Sequence, residues 1–333
     1  MIRIIKPTMG VNLRELITGH EIDWAELRGK KIAVDAMNTL YQFLATIRQP
    51  DGTPLMDQNG KITSHLSGVF YRTIRVCENG IKPVYVFDGK PPDLKGRELA
   101  NRKERKQIAE EKWRDAKERG DLEEAKKYAS MTSRFTPEML DDSKKLLSAM
   151  GIPLIQAPGE GEAQCAHMCI KGDVYATGSQ DYDSLLTGSP ILIKNMTMQE
   201  KFSLERIDLA ENLKNLGLTR EQLVDIAILV GTDFNPGVRG IGPKKGYKAV
   251  KEGHMGEYRE ALGDKYEMIK KLFMKPEVTG EYDLKWEKPN PEAIRKILVD
   301  EHGFSDMRIE HGVKRLEEAY QKNVSQSSLS QWF

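Results

Sequence analysis

The stretch KIAVDAMNTLYQFLATIR, Lys31 to Arg48, decides the fold. Ile32-Ala33-Val34 is apolar at consecutive positions rather than alternate ones, as a strand reads when both faces of its sheet are covered. After Asp35 the period changes. Met37, Leu40, Tyr41, Leu44 and Ile47 recur at helical spacing and predict a helix over 36–48. Pro83-Val84-Tyr85-Val86-Phe87 before Asp88 repeats the strand-to-aspartate unit, and Val174-Tyr175-Ala176-Thr177 leads through Gly178-Ser179-Gln180 to Asp181. Residues 141–150 predict another helix, with Asp141 and Asp142 at its start and Gly151 and Pro153 as its stop. The expectation is an α/β fold: a central, mostly parallel sheet with helices on both faces.

Bulk properties narrow the class. The chain has 333 residues, 39% of them hydrophobic, and 51 Lys and Arg against 50 Asp and Glu. That apolar share excludes disorder throughout. The longest apolar run, Leu223–Val230, is far short of the roughly 18 residues a membrane span requires and contains Asp225. MIRIIKPT supplies no signal-peptide core, and three cysteines cannot make a disulfide framework, so an intracellular home is expected. Cys165, His167 and Cys169 read as buried packing rather than a zinc site.

Charge is distributed unevenly. Residues 90–134 hold 14 Lys and Arg and 10 Asp and Glu with few large apolar side chains, which predicts an insertion of solvated helices projecting after Asp88. From Arg239 to Lys251 there are five cations and no acid, beside Gly237, Gly240 and Gly242. A glycine-rich turn leading into a basic helix suits the phosphate backbone of a duplex, which it grips without reading sequence. From Asn323 onward no residue is charged, and a disordered tail is expected there.

The acids carry the chemistry. Asp35, Asp88, Asp181 and Asp183 fall at strand ends, where open parallel sheets bind ligands. Glu160 and Glu162 follow Pro158-Gly159 at a helix start, and Asp233 follows the apolar run after Glu221, which predicts a helix. Seven like charges in one crevice repel one another unless a cation joins them. Oxygen-only donors favour Mg²⁺ or Mn²⁺ over zinc.

These segments resemble the archaeal and eukaryotic flap endonuclease family of the structure-specific 5′ nucleases. The matching runs are MGVNLREL from Met9, VDAMNTLYQFLATIRQ from Val34, TSHLSGVFYRTIR from Thr63 and PVYVFDGKPPDLK from Pro83. They continue with APGEGEAQCA from Ala157, ATGSQDYDSLL from Ala176 and GTDFNPGVRGIGPKKG from Gly231. The resemblance extends from Met9 to Phe333 and implies a nuclease core over 9–89 and 136–222. A helical arch would span 90–135, a helix–two-turn–helix 223–255, a C-terminal helical region 256–322 and a clamp-binding tail 323–333.

Carried over residue by residue, the resemblance implies that the seven acids hold two Mg²⁺ ions, which Mn²⁺ can replace. Lys95 and Arg102 would stabilise charge in the transition state. Tyr41 would stack on a nucleotide, and Arg48, Thr63 and Arg72 would meet the upstream duplex. Gly240, Gly242, Lys244, Lys245 and Lys248 would hold the downstream duplex, with K⁺ at the turn. Gln326, Leu329, Trp332 and Phe333 resemble the box that binds a sliding clamp of the PCNA type. The implied activity is Mg²⁺-dependent cutting of branched DNA at a 5′ flap, with 5′–3′ exonuclease activity, by a monomer of the cytoplasm, nucleoid or nucleus. A non-catalytic, clamp-tethered junction binder and a related 5′ exonuclease are the competing readings. MIRIIKPT precedes the Met-Gly at which this family usually begins, which bears on DNA contacts near residue 10.

Overall fold

The computed structural model describes residues 10–90, 96–198 and 202–329, the side chains of 96–105, 261 and 324–329 excepted. Seven strands form one sheet: β1 (His20–Ile22), β2 (Lys31–Asp35), β3 (Lys82–Phe87), β4 (Leu154–Gln156), β5 (Ala176–Gly178), β6 (Ile191–Lys194) and β7 (Leu204–Asp208). Their order is β1-β7-β6-β5-β2-β3-β4. The five from β6 to β4 are parallel, and β7 and β1 add antiparallel at one edge.

Helices cover both faces, as the uninterrupted apolar strands require. Ile32 and Val34 of β2 join one core cluster with α1 (Ala36–Thr46), α2 (Ser64–Glu78), α5 (Pro137–Ala149) and α14 (Asp306–Leu329). Ala33 points the other way, with Val84 and Val86, to Cys165, Met168 and Cys169 of α6 (Gly161–Ile170). The cysteines are thus packing residues. A third cluster gathers α7 (Asp183–Leu186), α8 (Leu209–Leu216), α9 (Arg220–Val230), α10 (Pro243–Lys251), α11 (Met255–Leu262) and α12 (Asp264–Met274). A short helix α13 (Pro291–Arg295) and a π-helical turn (Lys296–Glu301) lead into α14.

Four expectations are adjusted. The helix after Asp35 ends at Thr46, and its buried face is Ala36, Leu40, Phe43 and Leu44, leaving Met37 and Tyr41 at the margin. The helix expected from 141 begins at Pro137, because Thr136 caps it through Met139 N–H; Asp141 and Asp142 lie inside it. The tail expected to be disordered from Asn323 carries helical backbone to Leu329, since extending an existing helix costs far less than starting one. Trp332 and Phe333, and the side chains of Gln326 and Leu329, lie outside the described residues.

The charged insertion forms α3 (Gly96–Glu118) and α4 (Leu122–Ala129). It does not stand free of the body. Ala116, Ala125 and Ala129 are buried, Trp113 Nε1 donates to the Asp51 carbonyl at 3.3 Å, and Lys117 pairs with Asp51 at 2.9 Å. Small side chains let α4 approach Gly52, whose φ of 82° favours glycine, closely enough that a Cβ there would lie 2.6 Å from Ala129 Cβ.

Candidate metal centre

Chain order explains the location of the site. From β2 the chain moves to β3 and β4 on one side, then returns to β5 and β6 on the other. The switch therefore lies between β2 and β5, where the carboxyl ends leave a crevice. Asp35 ends β2, and Asp181 follows β5 by three residues.

Each acid is held by its surroundings. Asp35, 3% exposed, caps α1 by accepting from Asn38 N–H at 3.0 Å. Being a helix cap does not exclude it from the site. Asp88 accepts from Gly161 N–H at 2.7 Å, which ties the end of β3 to the start of α6. Glu160 is the N-cap residue of α6 and Glu162 lies in its first turn, where the helix dipole favours carboxylates. Asp183, 5% exposed, accepts from Val11 N–H at 3.0 Å, and Asp233 accepts from Gly10 N–H at 3.4 Å.

The electrostatics show that the acids converge. Glu162 is partly exposed to the crevice, yet burial pushes its carboxyl well above the usual range, with Asp183, Asp35, Asp181 and Asp233 adding repulsion. Asp181 is also pushed up, by burial first and then by Asp183, Asp35 and Asp233, with Lys194 opposing. Burial, helped by Asp35, Glu162 and Asp88, likewise keeps the Cys165 thiol protonated. Among the described residues, no group of three or more His, Cys, Asp or Glu is closed around a single point. The acids line an open crevice rather than a complete shell. Oxygen donors that repel one another and leave room for other ligands fit a hard divalent cation that keeps part of its coordination for water or substrate.

Sequence reading missed the groups that orient these acids. Asn38 Nδ2 donates to Asp181 at 2.6 Å, and Gln180 N–H donates to Asn38 Oδ1 at 3.1 Å. Its place three residues after a capping aspartate was the available signal. Lys194 ends β6 at the same edge, its ammonium 4.0 Å from the Tyr182 ring centroid. A Cβ on Gly10 would lie 2.9 Å from both Asp181 and Asp183, so this position admits little beyond glycine.

The remaining candidates fall into three groups. Lys95 and the side chain of Arg102 lie outside the described residues. Tyr41 stands where core meets arch, 5.7 Å from Phe135 and 5.3 Å below Lys106 of α3. Arg48 is half-buried and Thr63 is buried. Arg48 donates to Leu44 O, Gly52 O and Ser133 Oγ, and burial lowers its pKa to about 10; Thr63 is 4% exposed. Arg72 reaches the Met198 carbonyl at 2.5 Å.

The basic turn is built as expected. Asn235 ties it down, accepting from Thr232 Oγ1 and donating to Ile228 O, while Gly231, Gly237 and Gly240 take positive φ. Gly242 precedes α10, and Lys244, Lys245 and Lys248 are exposed along it. Lys245 Nζ bonds Gly240 O at 3.1 Å, and Lys248 pairs with Glu252 at 3.7 Å.

Residues 9–109 match the family described as XPG N-terminal domain, and residues 151–233 that described as XPG I-region. Flap endonuclease 1 of Pyrococcus furiosus is 52% identical over 339 residues, covering 98% of this chain and 99% of that protein. That of Thermococcus onnurineus is 53% identical over 340 residues, with coverage of 98% and 99%. Among solved structures, flap endonuclease-1 from Methanococcus jannaschii superposes with a TM-score of 0.80 at 45% identity, covering 94% of this chain and 99% of that one. The catalytic core of Rad2 in complex with DNA substrate gives 0.68 at 27% identity, covering 90% and 96%.

Proposed function

We infer function from one premise: the chain belongs to the flap endonuclease family of 5′ nucleases, and is therefore a nuclease that hydrolyses DNA with a divalent metal. We propose that it cuts branched DNA at the base of a 5′ flap, leaving a nick that can be sealed, with 5′–3′ exonuclease activity at the same site. The observation that carries this reading is the convergence of Asp35, Glu162, Asp181, Asp183 and Asp233 in the switch-point crevice.

Asp35, Asp88, Glu160, Glu162, Asp181, Asp183 and Asp233 would hold two Mg²⁺ ions, or Mn²⁺ in their place. Bound there, the metal would lower the pKa of the attacking water and offset charge on the scissile phosphate. Asn38 and the Gly10 and Val11 amides keep Asp181, Asp233 and Asp183 aimed into the crevice. Lys95 and Arg102 are assigned to stabilising charge that develops in the transition state. Tyr41 would stack on an unpaired base beside Lys106, and Arg72 would lie at the upstream duplex.

Gly240, Gly242, Lys244, Lys245 and Lys248 would hold the downstream duplex through its backbone. Gly240 O already accepts from an ammonium, which suits K⁺ binding by the carbonyls of this turn. Gln326, Leu329, Trp332 and Phe333 would tether the enzyme to a sliding clamp.

Cleavage of a labelled double-flap DNA in Mg²⁺ tests the reading. The expected result is cutting near the junction by wild type, none by Asp181→Ala, and little on single-stranded DNA. Binding of the flap by both proteins without cutting in Mg²⁺ or Mn²⁺ would leave a junction-binding protein instead.

A further inference from the structure

A cavity of about 470 Å³ opens from the carboxylate crevice and runs to the end of α12. Glu162 and Asp233 of the crevice share its lining with Phe234 and with Met268, Lys271, Lys275 and Glu277 at the end of α12. Phe234 is half-exposed, its ring braced edge-on by buried Phe273 at 5.5 Å and 66°. Met268 is 51% exposed, and Lys271 follows it at i+3, so thioether and ammonium share one helix face.

Acids, a braced aromatic ring, an open thioether and two ammonium groups in one concavity match the parts of a nucleotide. Glu162 and Asp233 would help to hold the metal, which would supply positive charge for a phosphodiester. The ring and the thioether offer surface to a flat base, and the lysines to the adjoining phosphate. Only an unpaired base has a free face and edge for such a wall, so the occupant comes from single-stranded DNA. Lys90, where the arch departs, borders the same cavity.

Building on the metal-dependent DNA cleavage proposed above, we propose that this cavity is a subsite for one nucleotide of the cut strand, immediately on the single-stranded side of the scissile phosphate. Its base lies against Phe234 and Met268, and its outer phosphate lies beside Lys271 and Lys275.

Two measurements on the full chain test this. In the first, thymidine 5′-monophosphate is titrated in Ca²⁺ while the Met268 methyl signal, assigned by its loss in Met268→Ala, is followed by NMR. A saturable shift is expected, absent with inorganic phosphate and at least about five-fold weaker in Lys271→Glu/Lys275→Glu. In the second, an abasic residue replaces the nucleotide 5′ of the cut. Wild type is expected to lose at least about five-fold in kcat/KM, the lower end for one stacked base, and Met268→Ala clearly less. No Met268 shift, an equal shift with phosphate, or equal abasic losses in wild type and Met268→Ala would overturn the subsite. The failures are separable: a Met268 shift without flap cutting sinks the proposed activity and keeps the subsite, whereas normal cutting with no shift does the reverse.

Discussion

Asn38 joins the two strands that flank the switch point: its Nδ2 donates to Asp181 Oδ2 at 2.6 Å, while its Oδ1 receives Gln180 N–H at 3.1 Å. The backbone amide fixes which way the side-chain amide faces, so only the NH₂ group can meet the carboxylate. Asn38→Ala should therefore fold but lose about 10–100-fold in activity, the usual cost of removing a group that orients a metal-binding carboxylate. The comparison is kcat and the Mg²⁺ concentration for half-maximal rate, against Asn38→Gln.

Carboxylates that repel one another oppose folding when no cation is bound. Burial and its acidic neighbours raise the pKa of Asp181, so stability is lost as pH rises from the ordinary aspartate range through the raised value. At neutral pH without metal, Asp181→Asn should raise the melting temperature. Mg²⁺ should stabilise wild type through preferential binding to the folded state and stabilise Asp181→Asn much less. Thermal unfolding in EDTA and in Mg²⁺ measures both effects.

His65 titrates in the opposite sense. It is 1% exposed, neither ring nitrogen has a hydrogen-bond partner, and burial, with His302 adding to it, lowers its pKa to about 4. The unfolded chain takes the proton first, so His65 erodes stability as pH falls from about 6.5 towards 4, by on the order of 3 kcal/mol in all. Urea midpoints at pH 7, 5.5 and 4.5 should show that slope reduced in His65→Gln.

The arch should loosen if its footing is filled. Gly52→Val places a side chain against Ala129 at a positive φ, costing about 1–3 kcal/mol by overpacking alone. Hydrogen exchange is expected to rise in α4 and in the Trp113 turn of α3 more than in the sheet. Equal acceleration everywhere would mean that the arch is not docked through this contact.

Lys270 sits between α9 and α12, within 2.8 Å of Glu221 and 3.0 Å of Asp225, and donates to Tyr266 Oη at 3.1 Å. Lys270→Ala leaves the buried Asp225 carboxylate without that partner, and such losses cost about 3–5 kcal/mol. Lys270→Ala/Asp225→Leu should recover part of this, measured by denaturant unfolding.

Much of this was legible in the chain because the signals are local. Consecutive apolar residues mark strands covered on both faces, and an aspartate after such a run marks a strand end. The basic turn announces itself by five cations without an acid. The loop contacts of Arg48 were not legible, because residue type does not tell a surface cation from one that also folds a loop. Arg48 spends its donors on Leu44, Gly52 and Ser133.

By itself the sequence determined the α/β class, the strand ends and the set of candidate acids. Tertiary structure alone decided how those acids are aimed: Gly10 meets Asp233 across 223 residues of chain, and Asn38 meets Asp181 across 143. It also decided that the arch is footed on Gly52 and that α12 closes a cavity beside the acids. Periodicity reports which face of a segment avoids water. It carries no information on which distant segment covers that face, because that depends on packing among elements far apart in the chain.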